Sequence, residues 1–99
     1  MAFGIKREEL INWKEQVMKG EIAFLTHYWQ DDRFPGCYTV TKVGCSDINK
    51  LINWGKHYNL REEWVDLKES FPHFDLFGDK QKEVLMNEDK WSHIYKFKL

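Results

Sequence analysis

The chain has 99 residues, of which 42% are hydrophobic and 31% charged, and its 15 basic and 16 acidic side chains leave a formal net charge of −1. This length and composition predict one globular domain spanning residues 1–99. The balanced charge argues against a nucleic-acid partner, because nucleic-acid binders need clustered Lys and Arg. The longest apolar run covers only residues 22–25, which is too short for a membrane span, so we expect a cytoplasmic protein with no membrane partner.

The spacing of apolar residues predicts three helices and four strands, in the order helix-strand-strand-helix-strand-helix-strand. The predicted helices are residues 6–19, a segment running from a cap at Ser46 or Asp47 to Tyr58, and residues 79–86. The predicted strands are residues 21–28, 37–43, 63–67 and 91–99. The sequence therefore predicts an α/β or α+β fold, in which three helices flank a mixed sheet of about four strands.

The patterns of individual strands predict their places in the sheet. Residues 21–28 carry apolar side chains without alternation, which is typical of a strand covered on both faces, so we expect this strand to be central. Residues 91–99 alternate, and the lysines on their outer face are typical of an edge strand. The strand-helix-strand order between residues 37 and 67 predicts a parallel crossover.

The apolar segment 71–80 contains a histidine and two aspartates, polar groups that need partners or a function. If the segment is extended, His73 and Asp75 project to the same side of the chain. A carboxylate beside an imidazole can orient the ring, raise its basicity or join it as a ligand of a divalent metal. The alternative is that both side chains only satisfy backbone groups at a junction between a loop and a helix.

A second polar cluster follows the first predicted strand, where Asp31, Asp32 and Arg33 lie between Trp29 and Phe34. Paired carboxylates can hold Mg²⁺ or act as acid and base, and arginine can bind the oxygens of a phosphate. The alternative is a solvated turn, in which aspartate is common.

Three other side chains could carry chemistry. Cys37 and Cys45 flank a predicted strand, and an extended span of that length covers roughly 26 Å, far beyond the reach of a disulfide, so we expect both to be reduced. His27 lies at the end of the first predicted strand, beside the carboxylate loop. It is either a core histidine with satisfied hydrogen bonds or a further member of a site.

Taken together, these motifs resemble a known family. The whole chain resembles the YneQ-like small bacterial cytosolic proteins, and from about Asp31 onward it is similar to a wider group of phage and bacterial domains of unknown function. The matching positions are Asp31, Asp32, Arg33, Pro35, Asp47, Leu60, Trp64, His73, Phe74, Asp75, Leu76 and Lys80. The chain departs from the pattern at Asn59, which replaces a glycine, at Phe74, which replaces a tyrosine, and at Lys42, where members often carry a histidine. The resemblance implies an α/β fold and brings no activity.

The two polar clusters predict one site, because ligands of such sheets bind where loops leave the strand ends. If both leave from the same edge, Asp31, Asp32, Arg33, His73 and Asp75 share a cleft walled by Trp29, Phe34 and Phe74. We therefore predict a metal-assisted enzyme or a binder of a phosphate-bearing or nucleotide-like ligand. A divalent cation would be held by Asp31, Asp32, His73 and Asp75, with His73 as the base and Arg33 as the anion contact. The alternative is a non-enzymatic protein-interaction module, or a homodimer, that uses exposed aromatic residues.

Overall fold

Four α-helices and a three-stranded sheet form the fold in the computed structural model, which describes residues 5–67 and 71–99. The helices are α1 (Arg7–Met18), α2 (Ile48–Lys56), α3 (Gly78–Asn87) and α4 (Trp91–Phe97). The strands are β1 (Ala23–Tyr28), β2 (Thr39–Gly44) and β3 (His73–Leu76), and a short 3₁₀ helix spans Glu62–Trp64. None of these described helices is long and apolar enough to cross a membrane.

The strands lie in the order β1-β2-β3, and both pairs are antiparallel, so β2 is central. The chain also approaches the outer edge of β3 at Asp66. The Asp66 N–H donates to the His73 carbonyl at 2.8 Å, and the His73 N–H donates to the Asp66 carbonyl at 3.3 Å. Because Lys42 pairs with Leu25 of β1 and with Asp75 of β3, these three side chains project from the same face of the sheet.

Helices cover both faces of the sheet. On one face α1 packs Trp13 and Val17 against Ala23 and Leu25, and the indole Nε1 of Trp13 donates to the Ala23 carbonyl at 3.1 Å. On the other face the larger core joins β2 and β3 to α2 and α3. Its buried members are Val43, Cys45, Leu51, Tyr58, Leu60, Phe74, Leu76 and Val84. The part of the first face that α1 leaves uncovered positions the candidate site.

Local sequence signals predicted the first four elements correctly, and the mixed helix-and-sheet class is confirmed. α2 illustrates why: the Asp47 carboxylate accepts a hydrogen bond from the Lys50 N–H at 3.1 Å, which satisfies one of the free donors at the start of a helix. The complete prediction of four strands and three helices does not match, because the second half of the chain differs.

The predicted strand at residues 91–99 is wrong, since this segment contains α4. Ile94 and Phe97 are buried and lie one helical turn apart, whereas Tyr95 is exposed. A segment of nine residues can fit both a period of two and a period of 3.6, so its own pattern does not decide between them. Packing against α3 selects the helix.

Two further expectations about the sheet are wrong. Residues 63–67 hold the end of the 3₁₀ helix and a single bridge residue, while the third strand is His73–Leu76, so the described strands contain no parallel crossover. β1 is an edge strand rather than a central one. Its apolar run still has a physical reason, because α1 covers one of its faces and Phe24 on the other contacts the Trp54 ring of α2 at 5.8 Å between centroids.

Candidate functional site

A cleft of about 370 Å³ opens on the face of the sheet that α1 covers only in part. All three strands, the loop between β1 and β2, and the bridge at Asp66 contribute to its walls. The lining residues are His27, Trp29, Arg33, Phe34, Val40, Lys42, Asp66, His73, Asp75 and Phe77. The cleft therefore combines two imidazoles, two carboxylates, two cationic side chains and three aromatic rings.

One end of the cleft carries a histidine between two carboxylates. Strand alternation places His73 and Asp75 on the same face of β3, and the backbone bridge to His73 brings Asp66 beside them. The His73 Nε2 lies 3.5 Å from the Asp75 Oδ1 and 3.9 Å from the Asp66 Oδ2. One ligand atom from each residue lies within 4.8 Å of the other two, which is compact enough to surround one metal ion.

The His73 ring is fixed in place by its surroundings. It is 1% exposed, its Nδ1–H donates to the Phe71 carbonyl at 2.8 Å, and the Trp13 indole lies edge-on to it at 6.3 Å between centroids. Its Nε2 faces oxygens of both carboxylates, so a protonated ring can donate to them and a neutral ring presents a lone pair to the same space. Burial alone lowers the pKa of His73, but the hydrogen bonds to Asp75 and Phe71 outweigh it and raise the pKa above its ordinary value.

His27 contributes the second imidazole from β1. It is 2% exposed, and its Nδ1 lies 2.9 Å from the Tyr28 carbonyl, to which it must donate. Its Nε2 is therefore an acceptor, and it has no hydrogen-bond partner among the described residues. Burial lowers the pKa of His27, and the nearby charge of Lys42 acts in the same direction, so the ring is neutral at pH 7.

Two cationic side chains reach the cleft. Lys42 is half-buried at the centre of the sheet. Arg33 belongs to the loop between β1 and β2, where its Nη2 and Nε donate to the Asp31 carboxylate at 2.6 and 3.0 Å. These bonds, together with the one from the Arg33 backbone N–H, lower the pKa of Asp31 to about 2. Asp31 is therefore ionised at neutral pH and holds the guanidinium at the rim.

Three aromatic rings form the other end of the cleft. The Phe77 ring lies 4.7 Å from that of Phe34 and 5.5 Å from that of Trp29, and Trp29 and Phe34 are 5.8 Å apart, all between centroids. The Arg33 guanidinium lies 5.5 Å from the Phe34 centroid. A patch of this kind offers ring surfaces to a flat apolar group and a cation at its rim.

A bacterial relative matches the entire chain. The protein described as "Uncharacterized protein YneQ" from Bacillus subtilis (strain 168) is 59% identical over 99 residues, which cover 100% of both chains. The chain belongs to the YneQ family. No protein-family model matches this YneQ-family chain, and no solved structure matches it either. The relative's name states no activity, so the function has to be argued from the geometry of the cleft.

In this YneQ-family protein the residues predicted for the site are divided. Arg33, His73 and Asp75 line the same cleft, whereas Asp31 and Asp32 are not among the residues that line it. Asp31 contacts Arg33 at the rim of the cleft, and the Asp32 side chain is exposed. Of the predicted aromatic walls, Trp29 and Phe34 line the cleft, whereas the prediction for Phe74 is wrong because its ring is buried in the core on the other face of the sheet.

Sequence patterns do not identify Asp66 as a site residue, because residues 63–67 predict a strand. They also give Lys42 no role. The sequence shows that residue 66 is an aspartate, but Asp66 lies beside His73 because of a backbone bridge that no local sequence pattern predicts.

Proposed function

We propose that the cleft holds a divalent transition metal on Asp66, His73 and Asp75 and uses it to bind a phosphate-bearing, nucleotide-like ligand. The observation that carries this proposal is the clustering of one imidazole and two carboxylates within 4.8 Å of one another, beside two cationic side chains. The metal would have open coordination positions toward the cleft, where a ligand oxygen could bind.

The distances between the proposed ligand atoms suit a small metal ion. A tetrahedral ion with bonds of about 2.0–2.1 Å separates its ligand atoms by about 3.3–3.4 Å. The observed separations of 3.5 and 3.9 Å from the His73 Nε2 exceed this by well under one ångström. An imidazole ligand favours Zn²⁺ or Fe²⁺ over Mg²⁺ and Ca²⁺, which prefer oxygen ligands alone, and the two carboxylates also suit Mn²⁺. The Phe71 carbonyl supplies the outer hydrogen bond that orients a metal-bound histidine.

The cationic side chains favour a phosphate as the ligand. Lys42 and Arg33 lie on the walls of the same cleft. Because the Arg33 Nε and Nη2 donate to Asp31, its Nη1 group is the part of the guanidinium that would bind a phosphate oxygen. A bound metal would polarise a phosphoryl oxygen as well as hold it. The arrangement thus supports a binding protein or a metal-assisted enzyme acting on such a ligand in the cytoplasm.

The wider resemblance to phage and bacterial domains also supports this site. Its first motif, Asp-Asp followed by an Arg and a Pro, corresponds with tighter spacing to Asp31, Asp32, Arg33 and Pro35, and Asp31 holds Arg33 at the rim. Its last motif corresponds to His-Phe-Asp-Leu at residues 73–76, which supplies two of the three proposed metal ligands. We propose that the chain shares this site with that wider group.

Titration calorimetry of chelator-treated protein with Zn²⁺ and Mn²⁺ tests the metal site. We expect Asp66→Asn and Asp75→Asn each to weaken metal binding by at least about 10- to 100-fold, because even outer-shell losses reach this size. Both side chains are partly exposed, so the isosteric changes should leave the fold intact. Asp32→Asn and Asp79→Asn are matched controls and should bind as the wild type does. No binding by the wild type, or equal binding by all four variants, would refute the proposal.

The competing hypothesis is an interaction module or homodimer. It is favoured by large side chains that project into solvent, among them Tyr95 at 76%, Tyr38 at 67% and Trp64 at 53% exposure. Light scattering at increasing concentration decides this point. A dimer that Tyr95→Ala or Trp64→Ala dissociates, together with no metal binding, would favour the module.

A further inference from the structure

We infer that the aromatic end of the cleft is a nucleobase pocket, in which Trp29 and Phe77 stack on the base and the His27 Nε2 accepts a hydrogen bond from it. The ligand of the cleft is then a nucleotide, with its phosphate toward the metal and its base toward the rings. This inference rests on the proposed function, which it extends by naming the ligand class.

Strand geometry sets the order of groups along the cleft. His73, Asp75 and Phe77 alternate along one face, and Phe77 continues β3 in an extended conformation, with φ −146° and ψ 168°. At about 3.3 Å per residue, Phe77 lies roughly 6.6 Å beyond Asp75 and roughly 13 Å beyond His73. The rings therefore begin where the carboxylates end, and both lie in one cleft.

The rings are a preformed stacking surface. Phe77 contacts both Trp29 and Phe34, with centroids 4.7–5.5 Å apart, so none of the three is held by a single neighbour. All three are half-buried, which leaves ring surface accessible to a ligand. Proteins bind bases by stacking them on aromatic side chains, and this contact is available to every base because each has a flat π-face.

His27 places a hydrogen-bond acceptor in the wall of the same cleft, in line with Phe77 across the sheet. Its register partner is Val40, and the pairing of Thr41 with Leu76 continued by one residue places Phe77 on the far side of Val40. His27 and Phe77 therefore belong to the same row across the sheet. The Tyr28 carbonyl holds the Nδ1 hydrogen, so Nε2 can only accept.

Packing alone explains the rings but not the histidine. An aromatic cluster closing a strand end needs no ligand, whereas a buried acceptor without a partner is costly unless a donor binds it. The edge of a base carries such donors as an amino or ring N–H group. One ligand that stacks on the rings and donates to Nε2 accounts for both features.

Calorimetry of the Mn²⁺-loaded protein with two probes tests the pocket. Adenosine 5′-monophosphate and ribose 5-phosphate share the sugar and the phosphate, and only the first carries a base. We expect adenosine 5′-monophosphate to bind about 5- to 150-fold more tightly, the range that one stacked base contributes. Trp29→Ala and His27→Phe should reduce this ratio toward 1 and leave the Kd of ribose 5-phosphate unchanged. Tyr38→Ala removes an exposed ring outside the cleft and should leave the ratio unchanged.

The outcomes separate the two proposals. If the metal binds and both probes bind equally, the nucleobase pocket is refuted and the metal site remains. If adenosine 5′-monophosphate is preferred over ribose 5-phosphate and the Kd of each probe is the same with and without metal, the pocket is supported and the metal's role in ligand binding is refuted. If neither probe binds, the pocket is refuted, and the titration with metal ions alone tests the proposed metal site separately. Melting temperatures establish that each variant folds. Trp29→Ala decides the result if the substitution of buried His27 unfolds the chain.

Discussion

Gly44 is the position at which a single methyl group should most disturb both the core and the site. It lies on β2 directly opposite His73 and faces α1. A Cβ added there would lie 2.7 Å from the Trp13 Cζ2, 3.0 Å from the Val17 Cγ2 and 3.2 Å from the Pro72 carbonyl oxygen. Trp13 cannot retreat without losing its hydrogen bond to the Ala23 carbonyl, which measures 3.1 Å. We therefore predict that Gly44→Ala destabilises the native state.

The expected size follows from three contributions. Overpacking a well-filled core costs about 1–3 kcal/mol, and displacing the Trp13 indole from its acceptor costs about 1 kcal/mol more. Alanine restricts the unfolded chain and returns about 0.4–1 kcal/mol. The net loss should be about 1–4 kcal/mol. For a domain of this size that loss lowers the melting temperature by about 4–30 °C.

Urea denaturation of four proteins measures this effect: the wild type, Gly44→Ala, Trp13→Phe and the double variant. The smaller phenyl ring lacks the Cζ2 atom that the new methyl group meets, so Gly44→Ala should cost at least about 1 kcal/mol less in the Trp13→Phe background. A loss under about 0.5 kcal/mol for Gly44→Ala, or an equal loss in both backgrounds, would refute the steric argument.

Two further predictions concern partly buried polar contacts. The His93 Nδ1 lies 2.8 Å from the Thr26 Oγ1, and burial followed by the Lys90 charge lowers the pKa of His93. Its neutral form is therefore favoured in the native state. The contribution of His93 to stability is present above pH 6.5 and is lost as pH falls toward the native pKa. Denaturation curves measured at several pH values should show a smaller loss of stability on acidification for His93→Gln than for the wild type. Glu88 accepts from the Trp54 Nε1 at 3.0 Å and the Tyr58 hydroxyl at 2.7 Å, and burial together with this carboxylate raises the pKa of Tyr58 to about 12. Glu88→Gln should cost about 1–2 kcal/mol and move the ultraviolet titration of Tyr58 down toward its ordinary pKa of 10.0.

Local sequence signals predict those parts of the fold that local physics decides. The helix α1 follows from the spacing of its apolar residues, and the start of α2 follows from the side-chain cap at Asp47. The common face of His73 and Asp75 likewise follows from strand alternation, since two residues apart on one strand is a local relation. Each of these three predictions depends on only a few residues that are close together in the sequence.

The parts that could not be predicted depend on contacts between distant residues. Ile94 and Phe97 fit a helix only because α3 offers them a surface, and nothing within residues 91–99 reveals that surface. Asp66 joins the site through its bridge to His73, although its own segment is not a strand. Asp31 has the residue type of a metal ligand, but the adjacent Arg33 occupies its carboxylate. Residue type and strand alternation therefore predict Asp75 beside the histidine, but they reveal neither the position of Asp66 nor the pairing of Asp31 with Arg33.

Lys42 lies between the two ends of the cleft, and its positive charge affects the histidine at each end. It lies on the central strand, and its charge lowers the pKa of both His27 and His73. At His27 this effect adds to burial, so the ring stays neutral and its Nε2 keeps the lone pair that a ligand donor needs. At His73 it opposes the Asp75 carboxylate, which favours the protonated ring. A bound metal ion and a proton compete for the same Nε2 lone pair, so a cation that disfavours the proton leaves this nitrogen easier to occupy by a metal. A phosphate drawn to Lys42 would lie between the proposed metal and the rings, the position that a nucleotide spanning the cleft requires.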